Sequence, residues 1–221
     1  MGLETRVTGF FDAVKCGDLS QVDSFLESDP SLVSSRAEDG VTAVQAAVYA
    51  FKFDMAHHLV EKGAVLDLPS ACCVGNVQAI ESLAGPDNVN RLSIDGFPPL
   101  SLAAAFGGVE SARSLIRAGA DLNTKSTGLG GVAPLHACVF GGQNETLRLL
   151  LESGADPDVR QDAGFTALMG AAQNGNLEAV TLLLDHGADP ALTMPDGKAA
   201  ADFASEAGHG GLVPLLTSKS L

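Results

Sequence analysis

One segment sets the scale on which this chain repeats itself. Gly164-Phe165-Thr166-Ala167-Leu168-Met169-Gly170-Ala171-Ala172-Gln173-Asn174-Gly175-Asn176 runs on through Leu182-Leu183-Leu184-Asp185-His186-Gly187-Ala188-Asp189-Pro190. It reads as a turn, a short helix, a glycine-centred reversal, a second helix and a glycine stop. The reversal recurs at Gly17, Gly75, Gly107, Gly142, Gly175 and Gly208, with Phe51 in its place in the second copy, giving spacings of 34, 24, 32, 35, 33 and 33 residues. The helix end recurs as Gly63-Ala64, Gly119-Ala120-Asp121, Gly154-Ala155-Asp156 and Gly187-Ala188-Asp189. The turn entry recurs as Asp39-Gly40-Val41-Thr42, Asp95-Gly96-Phe97-Pro98, Gly164-Phe165-Thr166 and Asp196-Gly197. Three markers in one phase make the chain an array of copies of one turn–helix–helix unit.

With this period, the Ala133-Pro134-Leu135-His136 segment and the Leu-Leu-x-x-Gly-Ala-Asp ending, the chain resembles ankyrin repeats over nearly its whole length. The resemblance implies an all-α solenoid with β-hairpin-like tips along one edge. It also implies a concave face, built from tips and first helices, that binds protein partners. The expected copies are 7–36 as an end cap, 37–67, a truncated 68–91, 92–123, 124–158, 159–190 and 191–221 as the other cap, all in one domain. The family's Thr-Pro-Leu-His motif is incomplete here: Thr42 and Thr166 are followed by Ala, Pro98 replaces Thr, and only His136 fills the His place. A thinner polar ladder between repeats is expected. Asn123 resembles the Asn that is hydroxylated in some animal members, and its position reads as turn-capping.

Three irregularities carry local expectations. Phe51 stands where the other copies use Gly to reach positive φ, so a reshaped loop is expected there. The third copy has no room for a hairpin between Ala64 and Ala71, which predicts a notch in the edge beside Cys73 and Val74. The fifth tip, Ser126-Thr127-Gly128-Leu129-Gly130-Gly131, is two residues longer and is expected to be more mobile. The last helix, near Leu212-Val213-Pro214, is expected to fray into Ser218-Lys219-Ser220-Leu221.

Composition narrows the function classes. Hydrophobic residues make up 46% of the chain but aromatics only 5%, so small residues must do the close packing. A net charge of −14 argues against nucleic acid and anionic lipid, both of which call for clustered Lys and Arg. No apolar run approaches the ~20 residues of a membrane span. Met1-Gly2-Leu3-Glu4-Thr5-Arg6 lacks the pattern of a secretory signal, and Arg6 stands where a myristoylation signal wants Ser or Thr. The four Cys read as buried, reduced thiols of a cytoplasmic protein, or a nuclear one if the source is eukaryotic. A monomer is expected.

No enzyme motif is present, so no catalytic residue, cofactor or metal site is assigned. Gly128-Leu129-Gly130-Gly131 lies inside a tip rather than between strand and helix, against a phosphate loop. His57-His58 with Cys72-Cys73 would make a poor zinc set, because adjacent helical residues point about 100° apart. His57 reads as solvated, His58 as partly packed, His136 as turn-stabilising, His186 as a helix-terminal residue and His209 as a loop residue.

Family resemblance places the partner-binding positions at Glu38, Asp39, Val41, Tyr49, Asp95, Phe97, Phe106, Leu129, Val132, Phe140, Asp162 and Phe165, with Ala50 and Asp196 beside them. Together they describe an aromatic groove with an acidic rim. It would accept a protein offering apolar anchors and Lys or Arg. The opposing reading has the rings packed against neighbouring helices. Two other functional classes stay open: a dedicated inhibitor or regulatory subunit of an enzyme, and a binder of a small molecule or metal.

Overall fold

The computed structural model describes residues 3–217. The expected fraying over Ser218–Leu221 and the reading of Met1-Gly2 lie outside the described residues. The architecture is the all-α solenoid that the repeat implies. Its helices fall into consecutive pairs: α1 (Leu3–Cys16) with α2 (Leu19–Ser28), α3 (Ala43–Tyr49) with α4 (Phe53–Glu61), and α5 (Leu68–Val74) with α6 (Val77–Leu83). Then follow α7 (Pro99–Leu102) with α8 (Gly108–Arg117), α9 (Pro134–Gly141) with α10 (Asn144–Glu152), α11 (Ala167–Gln173) with α12 (Leu177–Asp185), and α13 (Ala200–Glu206) with α14 (Val213–Thr217). Odd-numbered helices pack side by side in one layer, and α6, α8, α10 and α12 pack in a second. The first helices are short because each starts at a cap and stops at a reversal. Thr42, Asp67 and Thr166 cap α3, α5 and α11 by accepting the N–H three residues on.

The core lies between the layers and is continuous from Phe10 to Leu216. Ala, Leu and Val dominate it, as the aromatic-poor composition requires. Backbones approach so closely at the reversals that a side chain has no room. A Cβ on Gly107 would strike the Cys72 carbonyl, and one on Gly141 the Ala105 carbonyl. Cys72, Cys73 and Cys138 are buried as expected, but Cys16 is exposed at the end of α1.

At two reversals the structure differs from the sequence reading. Phe51 does not reshape its loop. It takes φ 56°, in the same left-handed region as Gly142 and Gly175, both at 67°. Its hydrogen bonds match theirs: Phe51 N–H to Val48 O and Lys52 N–H to Ala47 O repeat the pattern of Gly175 N–H to Ala172 O and Asn176 N–H to Ala171 O. A Phe carries the left-handed cost that Gly avoids, about 1–2 kcal/mol. In the fourth pair the positive-φ residue is Gly108, not Gly107, with ψ −179° where Gly142 has 24°, and Ala103–Gly107 before it forms a π turn that takes up one extra residue. Counted through Gly108, the spacings from Gly75 to Gly142 become 33 and 34, closer to the period.

The expected notch is closed. Residues 64–67 do pass from α4 to α5 without a tip. The second and fourth tips then meet directly, so that a Cβ on Gly40 would lie 2.9 Å from Ile94 Cγ1. Further along, Gly96 lies against Thr127, Gly131 against Asp162 and Gly164 against Pro195, so the row of tips is continuous. The long fifth tip is tied to both neighbours, through Thr127 N–H to Gly96 O at 2.9 Å and Asp162 N–H to Gly130 O at 2.8 Å.

The polar ladder is rebuilt elsewhere. On the far edge Asn90 Oδ1 accepts from Asp121 N–H, Asn123 Oδ1 from Asp156 N–H, and Asp158 Oδ1 from Asp189 N–H, at 2.8–3.0 Å. Asn123 therefore holds the next unit's backbone, more than capping its own turn.

The backbone contact at Gly141 gives a first test. Gly141→Ala should lower stability by about 1–3 kcal/mol, since the Ala105 carbonyl belongs to the turn that ends the neighbouring first helix and cannot swing away. Urea denaturation of the variant against the parent chain measures this. An unchanged midpoint would show that the reversals are not close-packed.

Candidate functional site

Residues two places before each left-handed reversal point to the inner curve of the solenoid. In the second, fourth and fifth pairs they are Tyr49, Phe106 and Phe140, while the third pair has the small Cys73. Because Cys73 fills so little space, Tyr49 and Phe106 meet across it with ring centroids 6.1 Å apart. Phe106 in turn stands edge-to-face with Phe140 at 6.5 Å. The strained Phe51 swings its ring over both, 6.5 Å from Phe106 and 6.3 Å from Phe140. Phe51 and Phe140 are 60% and 65% exposed, so the cluster faces water.

These rings form one side of a hollow of about 570 Å³. Its opposite side comes from the tips: Asp39 and Val41 from the second, Asp95 and Phe97 from the fourth, and Leu129 and Val132 from the fifth. Ser101, Ala105 and His136 from the first helices lie between. Nine of the twelve residues singled out from sequence converge there. Val41 is buried in the wall, Phe97, Phe106 and Val132 are half-buried, and Leu129 is 77% exposed at the mouth. Ala50 is half-buried and stands outside the lining, as does the exposed Asp196.

Three do not line the hollow. Glu38 is exposed on the second tip. Asp162 is exposed and pairs with Lys125 Nζ at 3.0 Å. Phe165 is half-buried in a smaller depression beside α11, where it stands edge-to-face with Phe203 at 5.2 Å. The sequence reading missed Phe51, because a bulky residue at a glycine position was taken as a sign of an altered loop. It also missed Ser101.

The polar groups in the wall have unusual surroundings. Tyr49 Oη donates to Asp95 Oδ2 at 2.6 Å, linking the second pair to the fourth tip over the unit between them. Burial, with the nearby Cys73 and Asp95, pushes the Tyr49 phenol well above its ordinary range. Asp95 Oδ1 and Ser101 Oγ are both shielded from solvent and lack a hydrogen-bond partner. His136 holds the turn as expected: Nδ1 accepts from Ala133 N–H at 3.3 Å and Nε2 donates to Phe165 O at 3.1 Å. Burial lowers its pKa to about 4, so the imidazole is neutral at pH 7. No Lys or Arg is among the residues lining the hollow.

The other histidines have structural settings. His57 is exposed, His58 Nε2 lies 2.9 Å from Asp23 Oδ1, and His186 Nδ1 lies 2.8 Å from Leu182 O at the end of α12. Among the described residues, no group of three or more His, Cys, Asp or Glu side chains is placed to hold a metal ion. Likewise, no described helix is long and apolar enough to cross a membrane.

A sequence model of the family described as ankyrin repeats (3 copies) matches residues 68–162 and again 135–220. Among curated proteins, the E3 ubiquitin-protein ligase KEG of Arabidopsis thaliana is 35% identical over 100 residues, 44% of this chain and 6% of that protein. Ankyrin repeat and SAM domain-containing protein 6 of Rattus norvegicus is 35% identical over 103 residues, 46% of this chain and 12% of its own length. The putative palmitoyltransferase ZDHHC13 of Danio rerio is 28% identical over 171 residues, 76% of this chain and 22% of that protein. The chain thus spans under a quarter of the length of each.

Neutral His136 makes stability depend on acid. Its folded pKa of about 4 lies below the unfolded value of about 6.5, so between these the unfolded state holds more protons. The stabilisation is complete above pH 6.5 and is lost as pH falls towards 4, by about 3 kcal/mol. His136→Gln should flatten that limb, because Gln45 already fills the same position in the second pair and accepts from Thr42 N–H. Urea midpoints at pH 7 and pH 4.5 for both proteins measure the difference. Equal pH dependence would show that His136 is not held neutral.

Proposed function

This chain belongs to the ankyrin repeat family, and on that premise we propose that it is a non-catalytic recognition module. It takes a protein partner on its concave face, as one elongated domain of seven units bounded as the repeat spacing sets them. The observation that carries this reading is the pair of water-exposed rings, Phe51 and Phe140, beside an apolar hollow with Asp39 and Asp95 at its edge. Exposed aromatic clusters of this kind are unusual on a protein surface and have the composition of interface hot spots. The acidic edge and the absence of lining Lys or Arg favour a partner that offers Lys or Arg next to apolar side chains. Packed repeats hold all these groups in place, so little ordering entropy opposes binding.

Ligase and transferase names among the relatives belong to much longer proteins, of which the matched repeats are a small part. For this chain they support a binding role alongside chemistry done elsewhere. A regulatory role towards one enzyme is a special case of the same surface. It would show as co-purification with a single enzyme at one-to-one stoichiometry and loss of that enzyme's activity.

The test uses peptides selected on the full chain from a random displayed library. Phe51→Ala and Phe140→Ala should each weaken the selected peptides by roughly tenfold or more. Helicity by circular dichroism should not change, since both rings are largely exposed. Phe165 is a poor choice for this purpose because its ring packs on Phe203. Undiminished binding by the double variant would move the site away from the hollow.

A further inference from the structure

We infer that the hollow is a binding pocket for a small amphipathic amine, an ammonium group carried on a flat apolar body. This rests on the hollow being the recognition site, but not on the ligand being a protein. Four observations converge on it.

The first is shape. An ankyrin-type inner curve is an open groove when every unit carries a tip. Here the third unit has none, the second and fourth tips touch, and Phe51 of the second pair reaches Phe140 of the fifth. The groove is thereby pinched into a compartment of about 570 Å³. Pockets of about 300–1,000 Å³ suit ligands of drug-like size.

The second is the lining. Phe97, Phe106, Val132 and Ala105 offer a largely apolar wall, with flat faces against which an aromatic or alicyclic body stacks.

The third is charge. The Asp95 carboxylate has one oxygen tied to Tyr49, while the other is shielded and unpartnered. Asp39 adds a second negative charge at the mouth, and His136, neutral at pH 7, adds no opposing charge. Two carboxylate side chains and several ring faces about one hollow are the surroundings an ammonium prefers. A carboxylate ligand would meet repulsion from both Asp residues.

The fourth is strain. Phe51 keeps φ 56° where Gly would fit without cost, and its ring is mostly in water. Backbone strain held at an exposed side chain is a mark of a functional position. Phe51 closes the compartment on the side where the ring cluster is exposed.

The experiment is isothermal titration of the full chain at pH 7 with three ligands sharing one indole body. Tryptamine carries an ammonium, tryptophol a hydroxyl and indole-3-propionate a carboxylate. Tryptamine should bind roughly tenfold or more tightly than tryptophol, with indole-3-propionate weakest. Asp95→Asn should remove most of the preference for the amine while leaving tryptophol binding in place. Phe51→Gly should weaken all three and leave the thermal midpoint within a few degrees, because relief of the left-handed backbone offsets the lost ring contacts. Equal binding of the three ligands, or tryptamine binding that both variants retain, overturns the site. Should tryptamine fail to bind at millimolar concentration while selected peptides still bind and are lost on ring removal, the amine pocket is refuted and the protein-binding reading stands. Tryptamine binding with no peptide selected would uphold the pocket and remove the protein partner.

Discussion

The meeting of the second and fourth tips across a unit that has none is the constraint on which the inner surface depends. In a repeat array each unit touches only its neighbours, so curvature is the sum of small local angles. Removing one tip while keeping both its helices takes material from the inner edge alone. The chain then bends there until Gly40 meets Ile94, and the Tyr49–Asp95 hydrogen bond ties the closure. Without Cys73 in the aromatic position of the third unit, a ring would stand between Tyr49 and Phe106 and hold the two apart. A short repeat and a small side chain thus act together, one shortening the edge and the other clearing space for the rings to meet.

Much of this fold was legible in the sequence because the reversal, the helix end and the turn entry repeat in one phase. Pairing of helices, the capping by Thr42 and Thr166, the turn role of His136 and the absence of the third tip all follow from local chemistry. What escaped was non-local. Nothing near Gly63-Ala64 says that the tips before and after it, at Gly40 and Ile94, will close the gap, because that depends on how three helix pairs stack. Gly107-Gly108 offered two equivalent reversals, and only the π turn over Ala103–Gly107 chooses between them. Phe51 was misread for an opposite reason. The local preference against a left-handed Phe is real, but a costly conformation persists when flanking helices fix both ends of the loop.

The candidate site divides along the same line. Tip residues Asp39, Asp95, Phe97, Leu129 and Val132 were found because their places in the repeat face inward by construction. Phe165 occupies an equivalent place, yet Phe203 of the next unit covers one side of it, a contact set by the neighbour's sequence. Glu38 sits one residue from Asp39 and turns away from the hollow. A positional rule therefore names the surface, while the neighbouring unit decides which side chains remain free on it.

The far edge shows what holds the bend from its other side. There Asn90, Asn123 and Asp158 each accept a backbone N–H from the following unit, and Asn90 also donates to Gly119 O at 3.2 Å. The third unit joins the fourth on that edge through Asn90 even though it is missing from the row of tips. One side of the stack is thus longer by a unit than the other, which makes the third pair a wedge. A wedge held by hydrogen bonds on its wide side and by tip-to-tip packing on its narrow side has one resting shape. The compartment it creates is preorganised, with its ring faces already set, so binding there need not first close a groove.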